Sequence, residues 1–387
     1  MKKIRNPLTY LFLYVFVSVL LWTTQDQVPF EVGYGFFVIV IAYLYFFAGG
    51  VLGLHLFKKN ENVYFCNEKF HPWLNKFVKI ALLVDVVVIA VLSLKFWVVI
   101  QDFNTILDYR ISLFKSNALK EYYGDFAAYL FIYATIIPLF GVSFGIYKRI
   151  TTGKNKILYL SAILLVAKES LLISRYYIFP VILTIFLLLY CYDKKVTTKK
   201  IVLLVSLFFL FMLSAFIFRG ESDANANIDN ARNYLVVGYS LFSRAIENRA
   251  EYNEFYDLSS PLLFLGTLGS KMFNQAPFFD KVQDFITFKG DNSFNAFYTS
   301  FFIPFLYVGA IGLSLFSFIF GIVVSYSHCK LSLNFTFLNL NTVYAFIILF
   351  FSHQFLPVQL SFFWDYFIIS ISIHMLVFLV SKKWRRF

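Results

Sequence analysis

Long apolar stretches follow one another along most of the chain, separated by short polar segments. Backbone groups in lipid must be hydrogen-bonded within their own segment, so stretches of this length predict membrane-spanning helices. The predicted spans are Leu8–Trp22, Val32–Phe57, Phe77–Ile100, Asp125–Tyr147, Ile157–Ile173, Arg175–Tyr192, Ile201–Phe218, Phe305–Ser327, Val343–Phe355 and Val358–Val380. The pattern therefore predicts an all-α polytopic membrane protein with about ten transmembrane helices.

One long segment of mixed polarity interrupts this pattern. It divides the chain into a membrane domain of seven spans (1–218), a large external loop (219–304) and a membrane domain of three spans (305–387). Charged side chains cost several kcal/mol each at the bilayer centre, so reactive polar groups are expected where water reaches them. The loop is therefore the first place to look for chemistry.

Composition and charge support this class. Hydrophobic residues make up 59% of the chain and charged residues 14%, against about 25% charged in an ordinary soluble domain. The net charge of +12 lies in short lysine and arginine clusters between apolar runs, which predicts cytoplasmic termini and argues against nucleic-acid binding. Six of ten arginines fall in predicted external segments, but only six of 24 lysines do. External arginine therefore has a role other than orientation.

Within the loop, residues Ala231–Ala250 are predicted to form an amphipathic helix along the outer membrane surface. Its apolar stripe consists of Leu235, Tyr239, Phe242 and Ile246. The opposite side carries Arg232, Ser240, Ser243 and Glu247. A second helix pair or re-entrant piece is predicted for Pro261–Asp280.

The arginines of this helix are candidate phosphate ligands, because the planar guanidinium pairs with phosphate oxygens through two hydrogen bonds. Arg232 and Arg244 are twelve residues apart, roughly 18 Å along a helix. One diphosphate cannot bridge both. Either two phosphorylated ligands bind, or one arginine is structural; charges that only solvate a surface helix are the alternative.

A polar and aromatic run, Gly290–Ser300, follows. Asparagine and aspartate bind sugar hydroxyls, and aromatic faces stack on sugar rings. The alternative is a capped entry into the next span.

These residues carry a resemblance to a known family. The stretches Asn295–Phe301, Tyr307–Gly312 and Phe320–Gly321 are similar to the Wzy-type oligosaccharide repeat-unit polymerases of bacteria, which make O-antigen or capsule. The resemblance covers the overall layout and, in detail, about residues 215–325. Many members have Asp-Phe-Gly where this chain has Tyr307-Val308-Gly309. Any role of the family's aspartate is therefore absent from this chain or is taken by another residue.

The resemblance implies a glycosyltransferase of lipopolysaccharide or capsule biosynthesis in the bacterial inner membrane. It would join two undecaprenyl-diphosphate-linked glycans on the outer side of that membrane and would need no cofactor. Its implied partners are membrane lipid and a flippase and a chain-length regulator of the same pathway. The growing chain is the donor, and a sugar hydroxyl of the new unit is the acceptor. The substrate-binding candidates are Arg110, Arg175, Arg219, Arg232, Arg244, Arg249, Tyr176, Asn295, Tyr298 and Thr299.

A general base would deprotonate the acceptor hydroxyl. Of five histidines, only His353 maps to the external side, and Glu169, Glu221 and Asp291 are its rivals. The external segments contain no Asp-x-Asp, and no His or Cys cluster has metal-ligand spacing, so metal-independent transfer is predicted.

Two other functions remain open. A flippase for the lipid-linked unit would need charges lining a central cavity, and the deep ones predicted here are few: Lys79, Asp85, Lys95 and Asp365. An O-antigen ligase would use the same donor with a different acceptor. The glycan carried by surface lipid distinguishes the three.

Overall fold

A computed structural model describes residues 5–24, 33–57, 72–113, 118–172, 178–193, 195–197, 199, 206, 236–243, 246–247, 283–287, 293–297, 302–333, 335–352, 366, 368–373 and 375. Its helices are α1 (Pro7–Thr23), α2 (Tyr34–Phe57), α3 (Pro72–Val99), α4 (Ile106–Leu113), α5 (Ala118–Tyr123), α6 (Asp125–Thr152), α7 (Lys156–Leu171), α8 (Ile178–Tyr192), α9 (Phe302–Leu333) and α10 (Phe337–Ser352). Residues 236–243 and 246–247 are also helical.

Local sequence signals set the ends of several helices. Asn6 accepts a hydrogen bond from the Leu8 backbone N–H at 3.0 Å, and Pro7 occupies the first helical position of α1. Gly153 terminates α6 in a left-handed conformation and donates its N–H to the Arg149 carbonyl oxygen.

The described helices are those of a membrane protein. Three stretches are long and apolar enough to cross a bilayer, namely Tyr34–Phe57, Trp73–Asp102 and Val308–Ser332, and α1, α8 and most of α10 are shorter apolar helices. The prediction of a helical membrane protein is confirmed at this level. The number of spans stays a prediction, because Ile201–Phe218 and most of Val358–Val380 lie outside the described residues.

The helices pack in two groups that share a core. In one, α3 lies against both α6 and α7; in the other, α2 lies along α9. Helix α10 joins the groups through contacts with α6, α8 and α9, and α1 packs on α8 and α2. The side chains of α3 on the opposite face, such as Leu94 and Trp97, are exposed and apolar, as expected of a surface in contact with lipid.

Helices α2 and α9 approach each other through small residues. A Cβ atom at Gly321 would overlap the Phe46 carbonyl oxygen, and one at Gly49 would overlap the Phe318 carbonyl oxygen. Ser325 Oγ donates to the Gly50 carbonyl oxygen at 2.7 Å across the same contact. Packing of this kind brings two backbones together without side chains between them, as membrane helix pairs often do.

Helix α9 is interrupted at Gly309. This residue has φ 64° and ψ −171°, a backbone conformation that essentially only glycine adopts. No atom of the described residues lies within 4 Å of where its Cβ would stand, so the requirement for glycine comes from the backbone conformation. The glycine of the Tyr307-Val308-Gly309 motif therefore has a conformational role in this chain.

Two regions of the predicted external side differ from expectation. The segment after α3, predicted as a polar loop, folds into a 3₁₀ turn (Ile100–Asp102) and helices α4 and α5. Strand β1 (Gln283–Thr287) pairs antiparallel with β2 (Ser293–Phe297), although the sequence analysis predicted no strand. Aromatic and β-branched residues favour strands, and both segments contain them. A capped helix entry is therefore wrong for residues 293–297; α9 begins at Phe302.

We expect Gly321→Ala to separate α2 from α9, because the added carbon would overlap the Phe46 backbone and overpacking costs about 1–3 kcal/mol. The melting temperature of the purified protein should fall. Ala48→Leu is the matched control, since Ala48 lies beside Gly49 on the exposed face of α2 and should change the melting temperature little. Equal stability of Gly321→Ala and wild type would contradict the close contact.

Candidate functional site: buried charges and tyrosines in the bundle

Three ionisable side chains are buried together where α3 packs on α7. Asp85 of α3 is 0% exposed, Lys168 of α7 is 2% exposed, and Glu169 of α7 is 0% exposed. Burying an ionisable group inside a membrane bundle costs several kcal/mol of free energy, so such a group is a candidate functional residue. Asp85 and its two neighbours are therefore the candidate site.

The lysine and the glutamate form an ion pair. Lys168 Nζ donates to Glu169 Oε1 at 2.7 Å, while Glu169 Oε2 has no hydrogen-bond partner among the described residues. Because both groups are desolvated, each carries a large penalty that the other offsets. The pair therefore stabilises the bundle only as long as both members are present.

Asp85 lies in range of this pair but does not bond to it. Leu82, one turn before Asp85, is close to Gly141 of α6 and Ser161 of α7. Lys168 lies two turns after Ser161, and helical side chains lean toward the N-terminus, which brings the ammonium group down toward the level of Asp85. The positive charge of Lys168 acts on Asp85, yet neither carboxyl oxygen of Asp85 has a hydrogen-bond partner in the described part of the chain.

Two tyrosines link α4 and α5 to the end of α7. The hydroxyl groups of Tyr109 and Tyr123 lie 2.6 Å apart, and Tyr109 donates to the Leu171 carbonyl oxygen at 2.8 Å. Lys95 Nζ donates to the Tyr123 carbonyl oxygen at 2.8 Å. Burial raises the pKa of Tyr109 and of Tyr123 above the ordinary tyrosine value, and the hydrogen bond to Tyr123 raises that of Tyr109 further. Both hydroxyls stay protonated, and they hold α4 and α5 one turn from the ion pair.

A second polar cluster fixes the helical residues 236–243 and 246–247 against α1 and α2. Tyr43 OH lies 2.9 Å from Tyr239 OH, which lies 3.0 Å from Ser18 Oγ. Ser18 already donates to the Val15 carbonyl oxygen at 3.0 Å, so Tyr239 donates to Ser18 and accepts from Tyr43. Beside them Trp22 Nε1 donates to Ser240 Oγ at 2.7 Å.

This segment does not lie on the surface as predicted. All eight residues of 236–243 are buried, and the two serines assigned to the polar side are 7% and 4% exposed. The polar side packs because its residues are small: Ser243 lies on Gly35, and Glu247 covers Gly33. The order of these contacts, with Tyr239 at Tyr43 and Glu247 at Gly33, shows that the segment runs antiparallel to the start of α2.

Of the residues predicted to act in catalysis or binding, Glu169 is the one whose side chain is described. The sequence placed it near a polar external turn, whereas it is buried and paired. The backbone of Arg110 lies in α4, and that of Asn295 in β2 opposite Phe285. The others lie outside the described residues: Arg175, Tyr176, Arg219, Glu221, Arg232, Arg244, Arg249, Asp291, Tyr298, Thr299 and His353.

The sequence analysis missed Lys168 as a deep charge, and it noted Asp85 without a partner. A helical spacing was available as a signal. Asp85 shares the buried face of α3 with Leu82 and Ile89, and Lys168 follows Ser161 by seven residues, two turns of one face.

In the part of the chain that the structure describes, no three His, Cys, Asp or Glu side chains gather as metal ligands do.

Comparison with known proteins adds no further constraint. No family model, no curated protein and no solved structure matches the chain.

We expect Lys168→Met to leave the Glu169 carboxylate buried without its cation, which costs about 3–5 kcal/mol. The double variant Lys168→Met/Glu169→Gln should recover much of this loss, because it removes both charges. Thermal or denaturant unfolding of the purified variants measures the cycle, with exposed Lys154→Met as a control expected to stay within about 0.5 kcal/mol of wild type. A double variant no more stable than Lys168→Met would show that the pair carries no coupling.

We expect Tyr239→Phe to cost about 1–3 kcal/mol, because the buried Tyr43 hydroxyl loses its acceptor. The variant should also expose residues 236–247 to protease or hydrogen exchange sooner than wild type. Tyr45→Phe, on the exposed face of the same helix, is the matched control and should behave as wild type. Unchanged exchange in the Tyr239→Phe segment would show that Tyr239 does not anchor it.

Proposed function

We propose that the protein is a metal-independent glycosyltransferase that polymerises undecaprenyl-diphosphate-linked oligosaccharide units into O-antigen or capsular polysaccharide. In this proposal it spans the bacterial inner membrane about ten times, with both termini in the cytoplasm. The loop 219–304 faces the periplasm, where the flippase delivers each unit and a chain-length regulator acts.

The observation that best supports this proposal is the anchoring of residues 236–247 in the bundle. The stretch lies within the long mixed-polarity segment, yet Tyr239, Ser240 and Ser243 are held between α1 and α2. Phe242 also contacts Phe305 of α9, with ring centroids 5.7 Å apart. Electrostatic catalysis needs charged groups fixed in advance. Arg232 precedes the anchored residues in the sequence and Arg244 follows directly after residue 243, and we propose that this anchoring positions both arginines.

The proposed reaction exchanges one bond at the donor sugar for another. The bond between the donor sugar and its lipid diphosphate breaks, and a glycosidic bond forms to the acceptor hydroxyl, whose proton passes to a general base. Arginines stabilise the negative charge that develops on the leaving diphosphate. The substrate ligands proposed on the loop side are Arg110, Arg175, Arg219, Arg232, Arg244, Arg249, Tyr176, Asn295, Tyr298 and Thr299.

His353, Glu221 and Glu169 are the proposed candidates for the base. Glu169 has one oxygen bound to Lys168 and the other without a partner among the described residues. Glu169 is 0% exposed, and the Tyr109 and Tyr123 contacts lie at the end of its helix, so an acceptor hydroxyl would reach it after a local opening of the bundle. His353 and Glu221 fall on the external side of the predicted topology, so we propose them as the stronger candidates for direct proton transfer.

A transporter of the lipid-linked unit is the second candidate, and one observation favours it. Asp85, Lys168 and Glu169 are buried inside the bundle, where proton and ion pathways of transporters keep such groups. In that case the arginine-containing loop would bind the unit on release, with no bond made or broken.

We expect a host strain that lacks this chain to lose the ladder of surface polysaccharide and to keep a band of lipid with one repeat unit. Wild type should restore the ladder, and Arg232→Ala or Arg244→Ala should not, because the diphosphate loses a bidentate ligand. Arg244→Lys keeps the positive charge but removes the planar guanidinium, so it tests whether two hydrogen bonds to the phosphate are required in addition to the charge. The measurement is polysaccharide banding with protein level checked, and exposed Lys154→Ala serves as the control.

Other patterns point elsewhere. A ladder that survives loss of the chain excludes the polymerase. Loss of even the single-repeat band, with units stalled on the inner face of the membrane, indicates the transporter. Loss of that band with units accumulating on the outer face indicates the ligase.

A further inference from the structure

We propose that Asp85 forms a proton-binding site inside the helical bundle, and that its carboxyl group carries a proton while Lys168 is paired with Glu169. The site does not depend on the proposed function, since it follows from the charges on α3 and α7 alone.

The first argument is the balance of charge. Two carboxyl groups and one ammonium group are buried between 0% and 2% exposure. The ammonium group is bound to Glu169 at 2.7 Å, so ionised Asp85 would add a negative charge for which the described residues supply no further cation. Isolated buried charges cost so much that such groups neutralise instead. A proton on Asp85 makes the cluster neutral.

The second argument is the hydrogen bonding of Asp85. An ionised carboxylate has two strong acceptors, and both oxygens of Asp85 lack a donor among the described residues. The rest of its face of α3 is apolar, with Leu82 and Ile89 buried one turn away on either side. The neutral acid is the form that such surroundings accept at the lower cost.

The third argument is the absence of a rival cation near Asp85 in the described part of the chain. On α6, Lys148 binds Asn75, ten residues from Asp85 or roughly 15 Å along α3; Arg149 of α6 pairs with Asp193. On α3 itself, Lys79 is exposed and Lys95 binds the Tyr123 carbonyl oxygen. On α5, the described acid Glu121 is exposed. Among the described residues, Lys168 is thus the charged group that acts on Asp85, and Glu169 is its partner.

Proton exchange at this site would act on the ion pair. When Asp85 releases its proton to water, two carboxylates compete for the Lys168 ammonium group, and the hold of Glu169 weakens. When Asp85 takes the proton back, Lys168 returns to Glu169. No covalent bond of the chain other than the carboxyl O–H changes in either direction.

A hydrophobic carbodiimide tests the proposal, because it reacts with a protonated carboxyl group in apolar surroundings and leaves a stable adduct. The full-length protein in lipid nanodiscs is treated with dicyclohexylcarbodiimide over a series of pH values, and peptides are mapped by mass spectrometry. We expect an adduct at Asp85 near neutral pH that declines as the pH rises. Exposed Asp102, beyond the end of α3, is the internal control and should stay unlabelled.

The variant Asp85→Asn provides a second measurement, since asparagine imitates the neutral acid in shape and charge. It should lose the adduct and keep the wild-type melting temperature below about pH 4, where the carboxyl group is protonated in the unfolded chain as well. In the wild type, folding retains a proton that the unfolded chain releases, so stability falls with rising pH. The variant lacks this dependence, and its melting temperature should exceed that of the wild type at higher pH.

Three results would overturn the proposal. Asp85 could stay unlabelled at every pH, or Asp85→Asn could melt below wild type at every pH, and either result would mean that Asp85 is ionised in the folded protein. Suppression of labelling by sodium at constant pH would identify a metal-cation site in place of the proton site.

Discussion

The interior of a membrane bundle offers no water to a polar group, so each such group needs a partner from the protein. This constraint determines which segments meet. The indole N–H of Trp22 reaches Ser240, and the hydroxyl groups of Tyr43, Tyr239 and Ser18 form a chain across three segments. Lys168 and Glu169 satisfy each other in the same way. Both carboxyl oxygens of Asp85 lack a hydrogen-bond partner among the described residues, and we propose that a proton satisfies this group instead.

The sequence predicted the class of the fold well, because the runs of apolar residues in α1, α2, α3 and α6 are continuous and of helix length. It predicted boundaries less well where polar residues are buried in pairs. The span Val343–Phe355 corresponds to a helix that begins at Phe337. Its early residue Asn341 appears too polar for a membrane interior, but it accepts from Tyr366 at 2.5 Å and donates to Ser370.

The candidate site was only partly predictable for a related reason. A helical period shows that residues 236–247 have two faces, but it does not show what the polar face will meet. Ser243 is small enough to lie against Gly35, so a face that looked suited to water packs inside the protein. Likewise, Lys168 and Glu169 side by side suggest a solvated turn, since their mutual pairing depends on the surrounding helices. The antiparallel strands 283–287 and 293–297 depend on pairing between segments, which the local pattern does not reveal.

The contact between α2 and α9 has a consequence for how the protein is made. Ser325 and Gly50, which share a hydrogen bond in that contact, are 275 residues apart in the chain. Helix α2 is therefore synthesised long before α9. Until α9 has been made, the glycine face of α2 contacts lipid or another helix. Contacts of such long sequence separation form slowly and late. The contact between α2 and α9 thus forms only after α9 has been synthesised, when α9 displaces whatever has covered that face of α2.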